Sequence, residues 1–237
     1  LLNNDHVYMN VSPGISTNIV VKYNDYNRKI LIDPKSFTAA GVNTTTNAIT
    51  ITNHGYSTGD KIIHTVGVAS AIPGGLVDNG TYYIVKVDDD TIKLSNTQYD
   101  STEKIPSIVG ITSAGDGGII NPINPPIKLY KDCTAVFDVS DSSLSYVNQS
   151  TDYSAFKLTF YRDQNFTKIW DTSTLTKDFN VVRNGAPGIT TNANVTLTVT
   201  KDIPNELYYK LDPIYDSNLP DVKKEVTVDK EVISANQ

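Results

Sequence analysis

Thr81-Tyr82-Tyr83-Ile84-Val85-Lys86-Val87, then Asp88-Asp89-Asp90, then Thr91-Ile92-Lys93-Leu94-Ser95 is the stretch that decides the fold. β-Branched and aromatic residues fill both flanks, and such side chains suit a pleated, half-buried surface. The aspartates between them reverse the chain, so the stretch predicts a β-hairpin. Just upstream, Ala48-Ile49-Thr50-Ile51-Thr52 alternates apolar and polar residues with a period of two, the pattern of a strand with one wetted face. Lys61-Ile62-Ile63-His64 is a further strand, and Asn53-His54-Gly55, Pro73-Gly74-Gly75 and Asn79-Gly80 are turns. Short strands and tight turns over residues 42–125 predict a small β-barrel or sandwich. A looser stretch after Asn96 ends in Asn121-Pro122-Ile123-Asn124-Pro125-Pro126, a Pro-rich linker.

Residues 7–11, 19–23 and 29–32 also read as strands, divided by Pro13-Gly14 and Asp33-Pro34. They make residues 1–41 a set of N-terminal strands closing a preceding module. Seven strand-like runs follow the linker, at 127–130, 134–139, 155–161, 168–170, 178–182, 193–199 and 206–211. That number, spaced by turns, is what an immunoglobulin-like or cupredoxin-like sandwich requires, and it sets a β-sandwich over residues 126–212. Residues 213–237, with one weak strand at 225–228, read as the start of a further module or a tail. The expected fold class is therefore all-β, built from consecutive small β-modules.

Composition supports this and excludes several functions. Of 237 residues, 39% are hydrophobic, enough for a core, and only 19% are charged. Ser, Thr and Asn take their place at roughly a quarter of the chain. Little Ala and a single Met leave long helices without material. The net charge of −6 speaks against nucleic-acid binding, which needs clustered Lys and Arg. No apolar run reaches the roughly 18 residues of a membrane helix. One Cys, Cys133, makes neither an internal disulfide nor a thiolate zinc site. A start at Leu1 without Met reads as a piece of a longer polypeptide.

No chemical motif rises above its structural explanation. His54 and His64 would face each other across a hairpin, but no third metal ligand accompanies them, and they read as ordinary polar positions. Cys133, between Asp132 and Thr134, reads as a small buried residue rather than a nucleophile. Asp88-Asp89-Asp90 lacks calcium-loop spacing and reads as a turn. Gly185-Ala186-Pro187-Gly188 and Gly115-Asp116-Gly117-Gly118 lack the Lys-Ser/Thr ending of a phosphate loop and read as turns. The Asn-x-Ser/Thr sites at Asn10, Asn43, Asn79, Asn148, Asn165 and Asn194 arise by chance in a chain this rich in Asn and Thr. Tyr82, Tyr83, Tyr153, Tyr161, Tyr208 and Tyr209 fit core and rim packing, with a sugar-binding platform as the alternative. In Tyr82-Tyr83 one ring should face in and the next out.

Two stretches carry a resemblance. His54-Gly55-Tyr56-Ser57-Thr58-Gly59-Asp60-Lys61-Ile62, with Gly74-Gly75-Leu76, Gly80-Thr81-Tyr82-Tyr83-Ile84-Val85 and Thr91-Ile92-Lys93-Leu94-Ser95, resembles a β-module repeated in tail and fibre proteins of tailed phages. It is also similar to a small non-catalytic β-domain of ubiquitin-activating enzymes, a likeness of fold alone. Leu129-Tyr130-Lys131-Asp132, residues 137–143, Phe156-Lys157-Leu158, residues 184–190 and Leu207-Tyr208-Tyr209 resemble the cupredoxin-like repeat of marine-phage structural proteins. The chain departs from that repeat where copper ligands would sit. Ala155 falls near the His position, and Lys210-Leu211-Asp212 replaces the Cys-and-His ending.

The resemblance implies a virion structural protein of a contractile-tailed phage, a tail, baseplate or fibre component and not an enzyme. It implies other virion proteins and further copies of the chain as partners, and neither nucleic acid nor membrane. It implies assembly in the bacterial cytoplasm and residence in the extracellular particle. No catalytic, cofactor-binding or metal-binding residue is assigned, and no cofactor is expected. The alternative is a carbohydrate- or receptor-binding adhesin module that meets a host-surface glycan or receptor.

Overall fold

A computed structural model describes residues 17–67, 71–127, 129, 132–170, 181–199 and 206–226. The elements run β1 (Thr17–Asn24), β2 (Lys29–Ile32), β3 (Lys35–Thr38), β4 (Val42–Asn43), β5 (Ala48–Thr50), β6 (Lys61–Thr65), β7 (Gly80–Lys86), β8 (Thr91–Ser95), α1 (Gln98–Thr102) and β9 (Gly117–Pro122). After residue 125 come β10 (Thr134–Asp138), β11 (Ser145–Asn148), β12 (Thr151–Ser154), β13 (Phe156–Tyr161), β14 (Val181–Asn184), β15 (Asn194–Thr198), β16 (Tyr208–Pro213) and α2 (Asp221–Lys224). The protein is all-β, with two short helices among the described residues.

The chain divides into two units. Unit 1 comprises residues 1–30 and 126–237, and unit 2 comprises residues 31–125. The chain thus leaves unit 1 after Ile30, builds unit 2, and returns at Pro126.

Unit 2 is a seven-stranded sheet in the order β3-β9-β6-β7-β8-β5-β4. Its two outermost strands, β3 and β4, are consecutive in the chain, joined by a 3-10 turn at Ala39–Gly41. The ends of the sheet are therefore tied to each other, as in a small barrel. Alternation decides the inside. Ile62, Tyr82, Ile84, Ile92, Leu94 and Ile120 point inward and form one cluster with Phe37, Ile49, Tyr56 and Ile111. Each fully buried aliphatic chain there contributes about 1.5–3 kcal/mol of transfer free energy. Ile63, on the opposite face of β6, joins Leu31 and Ile123 in a second cluster. Leu31 and Ile123 bridge each other, so the two ends of unit 2 lie side by side. The stretch from Asn96 onward, expected to be loose, contains α1 and β9, a strand paired on both sides. α1 begins at Thr97, whose side chain accepts the Asp100 N–H. β9 pairs with both β3 and β6.

Unit 1 is a sandwich. One sheet has the order β14-β15-β10-β1-β2, and the other layer holds the pair β13-β16. The layers meet through Phe137 on β10 against Phe160 on β13, and Tyr23 on β1 against Phe156 on β13, with ring centroids 5.4 and 4.4 Å apart. Period-two burial fits this role: Ile19, Val21 and Tyr23 on β1, Ala135 and Phe137 on β10, and Val195 and Leu197 on β15 are all inside. β1 comes from the segment that the sequence set apart at residues 1–41. It pairs with β10 in parallel, Thr17 opposite Ala135 through Val20 opposite Asp138. A parallel pair needs a crossover connection, and here β2 and all of unit 2 lie between the two strands.

β11 and β12 form a hairpin that the sequence did not suggest. Of the expected strands, 168–170 reduces to a single bridge between Tyr161 and Ile169, because the Asp163 carboxylate gathers the Thr167 and Lys168 N–H groups into a tight loop. Residues 127–130 form no strand where described. The expected runs at 7–11, 178–180 and 227–228 lie outside the described residues. Residues 221–224 are helical, ahead of the weak strand expected at 225.

Candidate functional site

The residues most suggestive of chemistry sit in the loop before β6, and each has a backbone partner. His54 is 1% exposed. Its Nδ1 accepts the Tyr56 N–H at 2.9 Å, so the proton resides on Nε2, which donates to the Asp88 carbonyl at 2.9 Å. The His54 N–H donates to the Asp89 carbonyl, and the Asn53 N–H to the Asp90 carboxylate. Asp88-Asp89-Asp90 is the β7–β8 turn, and it is also the dock for this loop. Further along, Gly59 donates to the Ile84 carbonyl, Ile84 to the Asp60 carbonyl, and the Lys86 N–H to the Thr58 hydroxyl. Gly55 and Gly59 take φ of 74° and 93°, left-handed values that favour glycine. The Asp60 carboxylate accepts the Ser57 N–H at 2.7 Å. Burial raises its pKa above the ordinary carboxylate value, against the lowering effect of that bond. Tyr56 stacks on His54 and is pushed far up by burial and by Asp33 and Asp60.

His64 does not face His54. It lies on β6 between Gly80 of β7 and Ile120 of β9, and its Nδ1 donates to the Val77 carbonyl at 3.2 Å. Both imidazoles are interior groups rather than the ordinary polar positions the sequence suggested, because the loops at 76–79 and 88–90 fold over them. Among the described residues no three of His, Cys, Asp or Glu gather closely enough to hold a metal ion. Cys133 is buried at 2% exposure ahead of β10; its carbonyl accepts the Val199 N–H, and the Asp132 N–H donates to the Val199 carbonyl.

In unit 1 the resembling residues also serve as fasteners. Asp138 accepts from the N–H and hydroxyl of Ser140, and Asp141 accepts the Ser143 N–H while pairing with Lys22 at 2.8 Å. The Ser143 hydroxyl receives the Tyr23 N–H. Gly188, with φ of 74°, donates to the Val139 carbonyl, and the Ser154 hydroxyl donates to the Pro187 carbonyl. Gly185-Ala186-Pro187-Gly188 is thus a turn tied to a neighbouring strand end. The strands carrying the copper-ligand positions of the cupredoxin repeat, β13 and β16, pair with each other. Ala155, just ahead of β13, and Leu211 are buried hydrocarbon, and Lys210 and Asp212 pair with each other at 3.5 Å. That donor set does not fit copper.

Tyrosines divide sharply. Tyr82 faces the barrel core with its hydroxyl accepting the Val77 N–H, Tyr83 faces the other way beneath Lys61, and Tyr161 is buried. Tyr208 and Tyr209 are half-buried. Tyr153 alone of the six is exposed, at 43%. It stacks on Tyr146, whose hydroxyl donates to Asp216, and the neighbouring Tyr215 is 98% exposed. Sequence reasoning missed Tyr215 and Tyr146, since nothing local marks a ring as exposed or as the support of another. It also missed Lys223, which is buried at 6% exposure on α2. Its ammonium donates to Asp25 at 2.8 Å and to the Ser143 carbonyl at 2.7 Å, over the rings of Tyr23 and Phe156. No helix of the described residues is long and apolar enough to cross a membrane. Comparison with protein families, characterised proteins and solved structures gives no match.

Proposed function

We propose that this chain is a structural component of a phage virion, in the tail, baseplate or fibre, which acts by packing its β-modules against other virion proteins and further copies of itself. It resides in the particle and carries out no reaction. One observation supports this above the others. The residues that carry the phage resemblance, His54 and Asp60 in the barrel and Asp138, Asp141 and Gly188 in the sandwich, fasten loops to strands, His54 by docking on the Asp88-Asp89-Asp90 turn. A module whose signature residues hold its own loops is a building part. In particles purified from the encoding virus, the chain should be present at a fixed copy number and visible by electron cryo-microscopy in contact with its neighbours. Absence from intact particles refutes the reading.

A second reading, an adhesin module for a host-surface glycan or receptor, is favoured by the exposed Tyr153 ring supported on Tyr146, whose hydroxyl bonds Asp216, next in the chain to the exposed Tyr215. Exposed tyrosines offer large contact area at low entropy cost. Glycan-array binding that disappears with Tyr153→Ala would support it, and silence on the array removes it.

A further inference from the structure

We propose that the barrel of unit 2 is acid-sensitive, with His64 as the trigger: protonation of its imidazole opens the sheet at β6. The ring is 0% exposed on a strand paired on both sides, with β7 and with β9. A carbonyl only accepts, so the contact with Val77 places the single proton of the neutral ring on Nδ1. Nε2 is then a bare acceptor, buried and without a hydrogen-bond partner. It points at Gly118 of β9, where a Cβ would lie 2.4 Å from it. A second proton would form an N–H at Nε2 facing the Gly118 backbone, with no protein acceptor in reach. A buried, unpaired charge of this kind is strongly disfavoured.

The surroundings leave that penalty largely intact. Phe37 on β3 contributes an aromatic ring 6.0 Å away. Lys35, also on β3, lies in the same cross-strand row as His64, beyond Ile120, and its charge opposes a second cation. The strand β9 carries no charged residue, and β7 carries only Lys86, at its far end. Asp78 is the one carboxylate that favours the imidazolium, and its oxygens are engaged by the Val66 N–H and the Asn79 amide. Burial outweighs Asp78 and the Val77 bond, so the folded-state pKa lies below 6.5.

The sign follows directly. Below pH 6.5 the unfolded chain takes up a proton at this site that the folded chain refuses, so stability falls with falling pH. The equilibrium constant for opening rises by up to tenfold per pH unit until the folded-state pKa is reached. Asp60, also in unit 2, works in the other direction, because its raised pKa favours the folded state on acidification towards the ordinary carboxylate range. His54 is buried too, beside Asp60 and Asp89, with its Nδ1 accepting the Tyr56 N–H. A difference measurement at His64 alone separates these effects.

The test is hydrogen exchange with mass spectrometry on the full chain at pH 7.0 and 5.5, corrected for intrinsic rates, for wild type and His64→Gln. Peptides covering β6, β7 and β9 should lose up to about eightfold protection in the wild type, because the opened chain takes up its proton only near pH 6.5, and much less in the variant, which keeps a donor for Val77 but carries no charge. Equal losses in both proteins, or none in either, overturn the proposal. Should the variant fail to fold, ring titration in the wild type by NMR decides. His6→Gln and His54→Gln assign the signals. A His64 ring that resists protonation until the barrel opens supports the inference, and one that titrates near 6.5 with the barrel intact overturns it.

Discussion

Replacing His54 by alanine should unfold the barrel rim and cost about 3–5 kcal/mol. The ring makes one bond in each direction, receiving the Tyr56 N–H and donating to the Asp88 carbonyl. Alanine leaves two backbone groups without partners at a site that is 1% exposed, and each buried orphan costs about 1–3 kcal/mol. Loss of the stacked contact with Tyr56, at 5.2 Å, adds about 0.5–1.5 kcal/mol. Water entering the opened rim will satisfy part of this, which sets the total nearer the lower sum. For a unit of this size each kcal/mol moves the midpoint by about 4–8 °C, so a fall of at least about 12 °C is expected. Trp170 lies in unit 1, so its fluorescence does not follow the barrel. Hydrogen exchange of peptides from β7, β8 and the loop before β6 reports the change in the right place. His54→Gln, which offers both an acceptor and a donor, should recover part of the loss. A cost below about 1 kcal/mol, within the range of an ordinary surface substitution, would show that the loop is held by other means and that the assigned bracing role is mistaken.

Three further outcomes are expected. Gly188→Ala forces a left-handed φ onto alanine and sets a Cβ 2.6 Å from the Ser145 nitrogen, so the sandwich should lose about 2–4 kcal/mol in denaturant titrations followed by Trp170 fluorescence. Lys223→Ala removes an ammonium held by Asp25 and Ser143 over two rings, and should cost about 2–3 kcal/mol by the same probe, with Lys223→Arg a poor substitute in that confined site. Because Leu31 and Ile123 bridge each other, replacing residues 33–121 by Asn-Gly should give a two-residue hairpin that leaves unit 1 cooperatively folded by circular dichroism and Trp170 emission.

Local pattern was the readable part of the sequence. The alternation at Ala48–Thr50, the runs at Lys61–Thr65 and Gly80–Lys86, and the return at Thr91–Ser95 each appear as strands, because a period of two with β-branched residues fits only a half-buried pleat. β9 escaped notice: Gly117-Gly118 and Pro122 argue against a strand, yet Gly118 is what makes room for the His64 ring. The hairpin β11–β12 escaped for a related reason. Its turn uses Gln149 and Ser150, both with positive φ, in place of the Asn-Gly signal that marks such turns.

Sequence by itself determined that the chain is all-β, where most strands begin and end, and that its acidic aspartate run is a turn. These follow from side-chain period and turn chemistry, which act over a few residues. Tertiary structure alone decided that β1 pairs in parallel with β10 across an intervening unit of residues 31–125. It also decided that His54, His64 and Lys223 are interior groups, and that Tyr153 and Tyr215 face solvent while Tyr82 and Tyr161 do not. The physical reason is range. A strand's partner and a side chain's exposure depend on which distant segment arrives to cover it, and no local property of the covered residue records that.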